Sequence, residues 1–444
     1  MRRVMIFLLV TSLLVGACSP DARDRTARRR ERDPRVERKD DGGSETKRKR
    51  RPRPQPSLGD TPPQAGDAWW VEKIDKLLAG KPFSLEVRLA GETLYSRRAE
   101  NDRIPASVQK LMLSMALFET FGANKRFATR LAARERNKEV IAGDLWVVGS
   151  GDPTVAGNPH YLTAMPRGAT DIQKLVIALR REGVRVIEGN VMAATGPFER
   201  DWYAPGWKPY FPTSEVGLPS ALAFNGNVNK GQYTKNPERL LAESLHKRLR
   251  RSGISIAGGA GSGPAPKSLR TIAEVQSPKL ASLARFMNRK SSNFFAEILG
   301  KRLGARRFGP PGTIAKGARA IASFARDGGV RIDSFDSSGL SYENRVSAAE
   351  LASLLEQVEN EPWAGVLRRG LAGGGEGTLE DRLHDVLIRA KTGTLVDISA
   401  LAGWVWLNKQ KAWAEFAILS RGIDKSRAIQ IEDKVVRILH IFAR

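Results

Sequence analysis

Cysteine is nearly missing from this chain. Cys18 is the single one in 444 residues, which excludes a disulfide framework, a cysteine-ligated metal and a thiol nucleophile from everything that follows it. Histidine is scarce as well: His160, His246, His384 and His440 stand far apart without short ligand spacing, the pattern of ordinary surface or core histidines rather than of a metal site. No metal is expected. Long apolar runs are also lacking. Val4 to Val15 is too short to cross roughly 30 Å of hydrocarbon as a stable helix, and no later stretch is long and apolar enough to do so.

What stands at the start is an export signal, with Met1-Arg2-Arg3 ahead of that stretch and Gly16-Ala17-Cys18 behind it. Leu14-Val15-Gly16-Ala17-Cys18 resembles the lipobox of bacterial lipoproteins, in which the cysteine is acylated and becomes the new N-terminus. Cys18 is therefore the expected lipid anchor to a membrane, with an ordinary signal peptide over residues 1–18 as the alternative. The expected location is the periplasm or cell envelope.

The formal charge is +25, of which residues 1–18 carry +2 and residues 19–60 carry +6, leaving +17 for the remainder. Such a charge invites a nucleic-acid partner, but an export signal and the lack of an aromatic-plus-basic recognition pattern exclude one. Anionic envelope polymers suit the charge better. Residues 19–66 run through Arg28-Arg29-Arg30, Lys47-Arg48-Lys49-Arg50-Arg51 and then Pro52, Pro54, Pro56, Pro62 and Pro63 with hardly an apolar side chain. This composition predicts a disordered, basic, Pro-rich linker, either a tether or a merely solvated connection.

Order is expected from residue 67. A helix is predicted from the spacing of Val71, Ile74, Leu77 and Leu78, and a hairpin from Phe83–Ala90 and Thr93–Ser96 around Gly91-Glu92. A strongly apolar helix follows over Ser107–Phe121, with Ser107 in the usual place for an N-terminal cap. Strands are predicted at Asp144–Val148, Val184–Ala193, Ala221–Gln232, Val386–Thr394, Ile398–Leu407 and Ala412–Leu419. Helices are predicted near Asp171–Glu182, Pro237–Arg251, Ala296–Leu303, Ala348–Val358 and Ser426–His440. No internal repeat is present.

Ser107-Val108-Gln109-Lys110 is a Ser-x-x-Lys at a helix mouth, where residues three apart share a face and a hydroxyl can touch an amine. A serine needs a base at neutral pH, and a desolvated lysine among other cations is one. The motif alone is weak. Ser44–Lys47 and Ser244–Lys247 match it too, and a capping serine is the structural alternative for Ser107. Ser291-Ser292-Asn293 is the one Ser-x-Asn in the chain, at a helix junction, and Lys391-Thr392-Gly393 occurs once, in a strand candidate followed by Thr394. A Lys-Thr-Gly strand edge offers a cation and a hydroxyl to a carboxylate, and its glycine allows an extended peptide alongside.

Ser-x-x-Lys, Ser-x-Asn and Lys-Thr-Gly in this order resemble the penicillin-binding protein and serine β-lactamase superfamily. Within it, residues 70–440 are similar to the class C low-molecular-mass penicillin-binding proteins, the D-Ala-D-Ala carboxypeptidase/endopeptidase family. Further matching stretches are Gly151-Asp152-Pro153, Pro205-Gly206-Trp207, Asn225-Gly226-Asn227, Asp336 to Ser341 and Gly377-Thr378-Leu379. Two stretches depart from the pattern. Ala193-Ala194-Thr195-Gly196-Pro197-Phe198 stands where relatives tend to carry an acidic Asp-Asp-Ser segment, and Asp336-Ser337-Ser338-Gly339 replaces Asp-Gly-Ser-Gly.

The resemblance implies an α/β (α+β) fold. Its transpeptidase-like catalytic domain, an antiparallel sheet flanked by helices, would comprise residues 67–130 and 275–444, split by a mostly β inserted domain at 131–274. It implies a cofactor-free hydrolase that cleaves peptidoglycan stem peptides and is inhibited by β-lactams. Ser107 would be nucleophile, Lys110 its base, Ser291 a proton relay, Asn293 an orienting amide and Lys391 a field-setting cation. Thr392, Gly393 and Thr394 would hold the substrate, with the N–H groups of Ser107 and Thr394 as the oxyanion hole. Carboxypeptidase and endopeptidase activity stay open, as do a β-lactamase or esterase on the same fold and a non-catalytic peptidoglycan-binding lipoprotein.

Overall fold

The computed structural model describes residues 68–443. The expected signal peptide, the Cys18 anchor and the linker lie outside them. Among the described residues no helix is long and apolar enough to cross a membrane.

The central sheet has five antiparallel strands in the spatial order Ile388–Leu395, Ile398–Leu407, Ala412–Arg421, Phe83–Leu89 and Glu92–Arg97. The first strand in sequence thus lies beside the last, in register from Phe83 opposite Ser420 to Arg88 opposite Glu415. The predicted hairpin is present, and its turn uses Ala90 at φ 52° and Gly91 at φ 94°, the paired left-handed conformations that match strand twist. Both faces of the sheet are covered. Side chains alternate along a strand, so Leu401, Val405 and Ile418 point into one apolar cluster with the Ala68–Leu78 and Lys425–Phe442 helices. Ala400, Ala402, Trp404, Ala417 and Leu419 point into the other. Three alanines on that second face leave room for a thick helical layer.

At the centre of that layer lies the Gln109–Phe121 helix, which is apolar nearly all round; Leu111, Met112, Leu113, Met115 and Leu117 are all buried, as a core helix requires. The helices Leu280–Lys290, Asn293–Phe308 and Ile314–Asp327 surround it. The last two cross at glycines: a Cβ on Gly304 would come within 2.6 Å of the Gly317 backbone.

The chain leaves this body through the strand Ala128–Ala133 and returns through Arg270–Gln276, which pair antiparallel. Between them the two larger sheets mix parallel and antiparallel neighbours, and the helices Ile172–Arg181 and Pro237–Arg251 bury Leu175, Val176, Leu179, Leu241, Leu245 and Leu249 in their own cluster. The strand expected over Val184–Ala193 is broken into Val186–Ile187 and Val191–Ala194, because Gly189 packs on the backbone of Gly143 and Asp144. The strand expected over Ala221–Gln232 is reduced to the short antiparallel pair Val228–Asn229 and Gln232–Tyr233. Asn225–Asn227 turns with all three residues at positive φ, and Asn227 Oδ1 accepts from Phe224 N, so a side-chain hydrogen bond replaces the ladder.

The Asn293–Phe308 helix also seats a residue that departs from the family pattern. Ser337 Oγ would lie 1.9 Å from a Cβ on Gly300 and 3.1 Å from one on Gly317. Gly300→Ala is accordingly expected to lower the unfolding free energy by about 1–3 kcal/mol through overpacking, and Ser337→Gly in the same chain to recover most of it. Denaturant titration of the two single variants and the double variant checks this, and an additive double variant would sink the pairing.

Candidate active site

Ser107 does not cap the long helix. It sits in a tight turn, Ala106–Val108, ahead of the α-helix that starts at Gln109, and no side chain caps that helix. Ala106 is held at φ 47°, outside the conformations an L-residue favours, and its surroundings explain why the turn persists. The sites of two absent Cβ atoms press on it: one on Gly339 would lie 1.8 Å from the Ala106 carbonyl oxygen, and one on Gly393 would lie 2.5 Å from the Pro105 carbonyl oxygen. Gly393, expected to admit a peptide, is therefore required first by the protein itself. Freed from capping, the Ser107 hydroxyl meets Lys110.

Lys110 is fully buried. Its Nζ lies 2.9 Å from Ser107 Oγ, 2.8 Å from Asn293 Oδ1 and 2.6 Å from the Ser338 carbonyl oxygen. A neutral amine has two hydrogens and one lone pair. The two carbonyl oxygens can only accept, so they take both hydrogens and leave the lone pair facing the serine O–H. Burial pushes the Lys110 pKa down to about 7, against the pull of Asp336 and Glu297.

The second and third motifs form an adjoining group. Ser291 ends the Leu280–Lys290 helix in the left-handed conformation, φ 53°, which presents its hydroxyl 3.0 Å from Lys391 Nζ. Lys391 also donates to the Thr392 carbonyl at 2.7 Å. Burial, and then the charge that Lys110 carries when protonated, hold Lys391 well below an ordinary lysine pKa. Ser292 caps the next helix through Phe295 N, so Asn293 occupies its first turn. Thr392 and Thr394 lie on the Ile388–Leu395 strand, half-buried and exposed respectively. The eight predicted positions beyond Cys18 thus lie on three segments that meet here: the Ala106–Val108 turn with the start of the Gln109–Phe121 helix, the Ser291–Asn293 junction, and the Ile388–Leu395 strand. The rival Ser244–Lys247 pair lies on the Pro237–Arg251 helix with Lys247 exposed, and Ser44–Lys47 lies outside the described residues.

Sequence reasoning missed the support beneath Lys110. The Asp336 carboxylate accepts from Trp207 Nε1 at 2.7 Å, Ser341 N at 2.8 Å, Asn344 Nδ2 at 2.8 Å, Gly339 N at 2.9 Å and Ser338 Oγ at 3.2 Å. This knot shapes the loop that offers Ser338 O to Lys110. Glu297, one turn after Asn293, accepts from Ser337 N at 3.0 Å and Ser338 N at 2.7 Å, and burial together with Asp336 pushes its pKa up to about 8. Its signal was present: Glu297 is the lone acid in Phe294-Phe295-Ala296-Glu297-Ile298-Leu299. Glu215 O accepts from Asn293 Nδ2 at 3.2 Å, and nothing in the sequence pointed to that carbonyl.

A serine whose hydroxyl faces an amine near neutrality, with a second hydroxyl on a second desolvated lysine, is equipped for acyl transfer. The family model described as D-Ala-D-Ala carboxypeptidase 3 (S13) matches residues 83–214 and 219–441. The chain belongs to this family. It is therefore a D-Ala-D-Ala carboxypeptidase, a serine hydrolase. It is 29% identical over 343 residues to a carboxypeptidase of Mycobacterium tuberculosis, covering 71% of this chain and 70% of that protein. It is 24% identical to the D-alanyl-D-alanine carboxypeptidase of an Actinomadura strain, covering 78% of each. The fold is that of penicillin-binding protein 4 from Haemophilus influenzae, with a TM-score of 0.70 at 19% identity over 84% of this chain and 99% of that one.

Only the neutral amine of Lys110 accepts a proton, so the acylation rate constant of this carboxypeptidase is expected to rise with pH through about 7 and level off above it. Stopped-flow acylation by a chromogenic β-lactam measures the profile, and an inflection near the ordinary lysine value of about 10.4 would refute the assignment. Gly339→Ala drives a methyl into the Ala106 carbonyl and is expected to slow acylation by at least about 100-fold, as displacing a reacting group by about 1 Å does. Wild-type acylation rates in that variant would show that the contact does not set the turn.

Proposed function

We propose that the enzyme removes the terminal D-alanine from peptidoglycan stem peptides through an acyl-enzyme on Ser107. The observation that carries this reading is the buried Lys110 Nζ, 2.9 Å from Ser107 Oγ and held by Asn293 Oδ1 and Ser338 O.

In this reading Ser107 Oγ attacks the carbonyl carbon of the penultimate D-alanine while its proton passes to Lys110 Nζ. The backbone N–H groups of Ser107 and Thr394 receive the developing oxyanion, each donor contributing about 3 kcal/mol. Ser291 Oγ, 3.0 Å from Lys391 Nζ, protonates the departing amine, and the proton that Lys110 took from Ser107 replaces the one Ser291 gave, which returns Lys110 to the free amine. Water then attacks the ester with Lys110 again as base, and the tetrapeptide leaves. Thr392 and Thr394 take the substrate's terminal carboxylate in the field of two lysines. Asn293 holds Lys110 and the incoming peptide, anchored by Glu215 O. A cross-linked peptide differs only in its leaving amine, so D,D-endopeptidase cleavage uses the same steps. β-Lactams acylate the same serine.

The N-terminal residues complete the proposal: Cys18, acylated, anchors the enzyme to a membrane of the cell envelope, and the basic, Pro-rich stretch to residue 66 sets its reach. The reading rests there on sequence alone.

Intact-protein mass spectrometry with benzylpenicillin tests the central claim. A persistent one-equivalent adduct is expected on the wild type and none on Ser107→Ala, followed by conversion of pentapeptide muropeptides to tetrapeptides. Fast β-lactam turnover with no adduct would replace this reading with a β-lactamase, and an inert protein would leave a non-catalytic binder.

A further inference from the structure

The Asn293–Phe308 helix, which begins at the reaction centre, lines a second cleft with Arg302. The cleft is half-open, has a volume of about 790 Å³, and lies between the returning strand region and the inserted segment. Arg302 is nine residues beyond Asn293, about 13.5 Å along the helix axis, and Phe121, whose ring faces Arg302, is eleven residues beyond Lys110, about 16.5 Å. None of Ser107, Lys110, Ser291, Asn293 or Lys391 lines the cleft.

Its walls carry five cations, Lys125, Arg126, Arg130, Arg200 and Arg302, against one carboxylate, Glu199. Two of the five are occupied: Arg200 pairs with Glu238 at 3.0 Å, and Arg126 donates to Ser277 O at 2.6 Å. Among the described residues, the side chains of Lys125, Arg130 and Arg302 form no hydrogen bond or ion pair. Glu199 Oε1 is turned to its neighbour's amide, Arg200 N, and Ala194–Phe198 add no acid.

Arg302 is the informative group. Its Nε is buried without a hydrogen-bond partner, and its guanidinium sits 6.0 Å from the Phe121 ring and 5.9 Å from the Phe127 ring, held there by cation–π attraction. The charges beside it are Arg130 and Arg306, which add to burial in disfavouring its charge. A stacked, partly desolvated cation surrounded by like charge lacks its counter-ion. The planar fork of arginine matches a carboxylate in two parallel hydrogen bonds, while Pro197, Phe198 and Pro264 give apolar wall suited to methyl groups.

We propose that this cleft is a second, non-catalytic binding site for a carboxylate-bearing oligopeptide, the stem peptide of a neighbouring strand of the substrate polymer, with Arg302 and Arg130 holding its carboxylates. The identity of the ligand rests on the peptidoglycan reading above; the cleft's demand for an anion does not. Engaging one strand there holds the enzyme on an insoluble mesh while the catalytic cleft works on another peptide, so local substrate concentration rises without any change in chemistry.

The test uses the full chain after acylation with benzylpenicillin, which closes the catalytic cleft. The probe is a fluorescent disaccharide-tripeptide muropeptide that lacks D-alanine, titrated by anisotropy. Binding is expected to persist in the acylated protein, to weaken with salt, and to fall at least about tenfold in the Arg130→Gln/Arg302→Gln variant, since two charge-assisted pairs are lost. The same variant is expected to be acylated at the wild-type rate, which also shows that it is folded. Equal affinity in the variant, or loss of binding on acylation of the wild type, overturns the site. Tighter displacement by inorganic pyrophosphate than by unlabelled muropeptide overturns the stem-peptide assignment in favour of a phosphate polymer. A failure of benzylpenicillin to acylate Ser107 counts against the proposed function instead, and the same titration on Ser107→Ala then decides the cleft.

Discussion

A lysine amine kept out of water beside a serine hydroxyl is what the surrounding structure serves. An amine in solution would be protonated and useless as a base, and a bare buried amine would cost free energy for each unmet hydrogen bond. Lys110 escapes both penalties because its acceptors come from two distant parts of the chain, Asn293 from the second motif and Ser338 from a loop that no motif names. Position, protonation and hydrogen bonding are set together.

That arrangement explains several costly features around it. Two carboxylic groups, Asp336 and Glu297, are buried within reach of Lys110, and such groups persist only when heavily hydrogen-bonded. Asp336 accepts five hydrogen bonds and Glu297 two from backbone amides. Some of this support comes from within the inserted segment, since Trp207 donates to Asp336 and Glu215 O receives Asn293. The insertion is therefore part of the catalytic scaffold as well as a body with its own core.

Much of the sheet and the Gln109–Phe121 helix was legible because it rests on local pattern. Ile398–Leu407 is a continuous apolar run that could only be a strand covered on both faces, and its bounds agree with prediction. Ala348–Val358 does likewise for a helix, with Ser347 and Glu350 forming a capping box. The motif serines and lysines were legible through type, spacing and order. What was not legible depends on contacts far apart in sequence. Ser107 looked like a cap because nothing local shows Gly339 pressing on Ala106. The Ala221–Gln232 segment has strand-like composition, yet the Asn227 side chain closes it into a turn. A backbone carbonyl such as Ser338 O leaves no mark in a sequence at all.

The pairing of the first strand with the last governs when this molecule becomes able to react. During synthesis Ser107 emerges early, but Phe83–Leu89 has no neighbour on that side until Ala412–Arg421 has appeared, and the Pro105 carbonyl has no strand against it until Gly393 arrives. The apolar cluster of the inserted segment draws its buried residues, Leu131 to Ala273, from that segment alone and needs no such wait. The reaction centre is thus incomplete until the strand that carries Gly393 is in place. A chain cut short before residue 393 keeps its serine and its lysine and lacks the turn that makes them an enzyme.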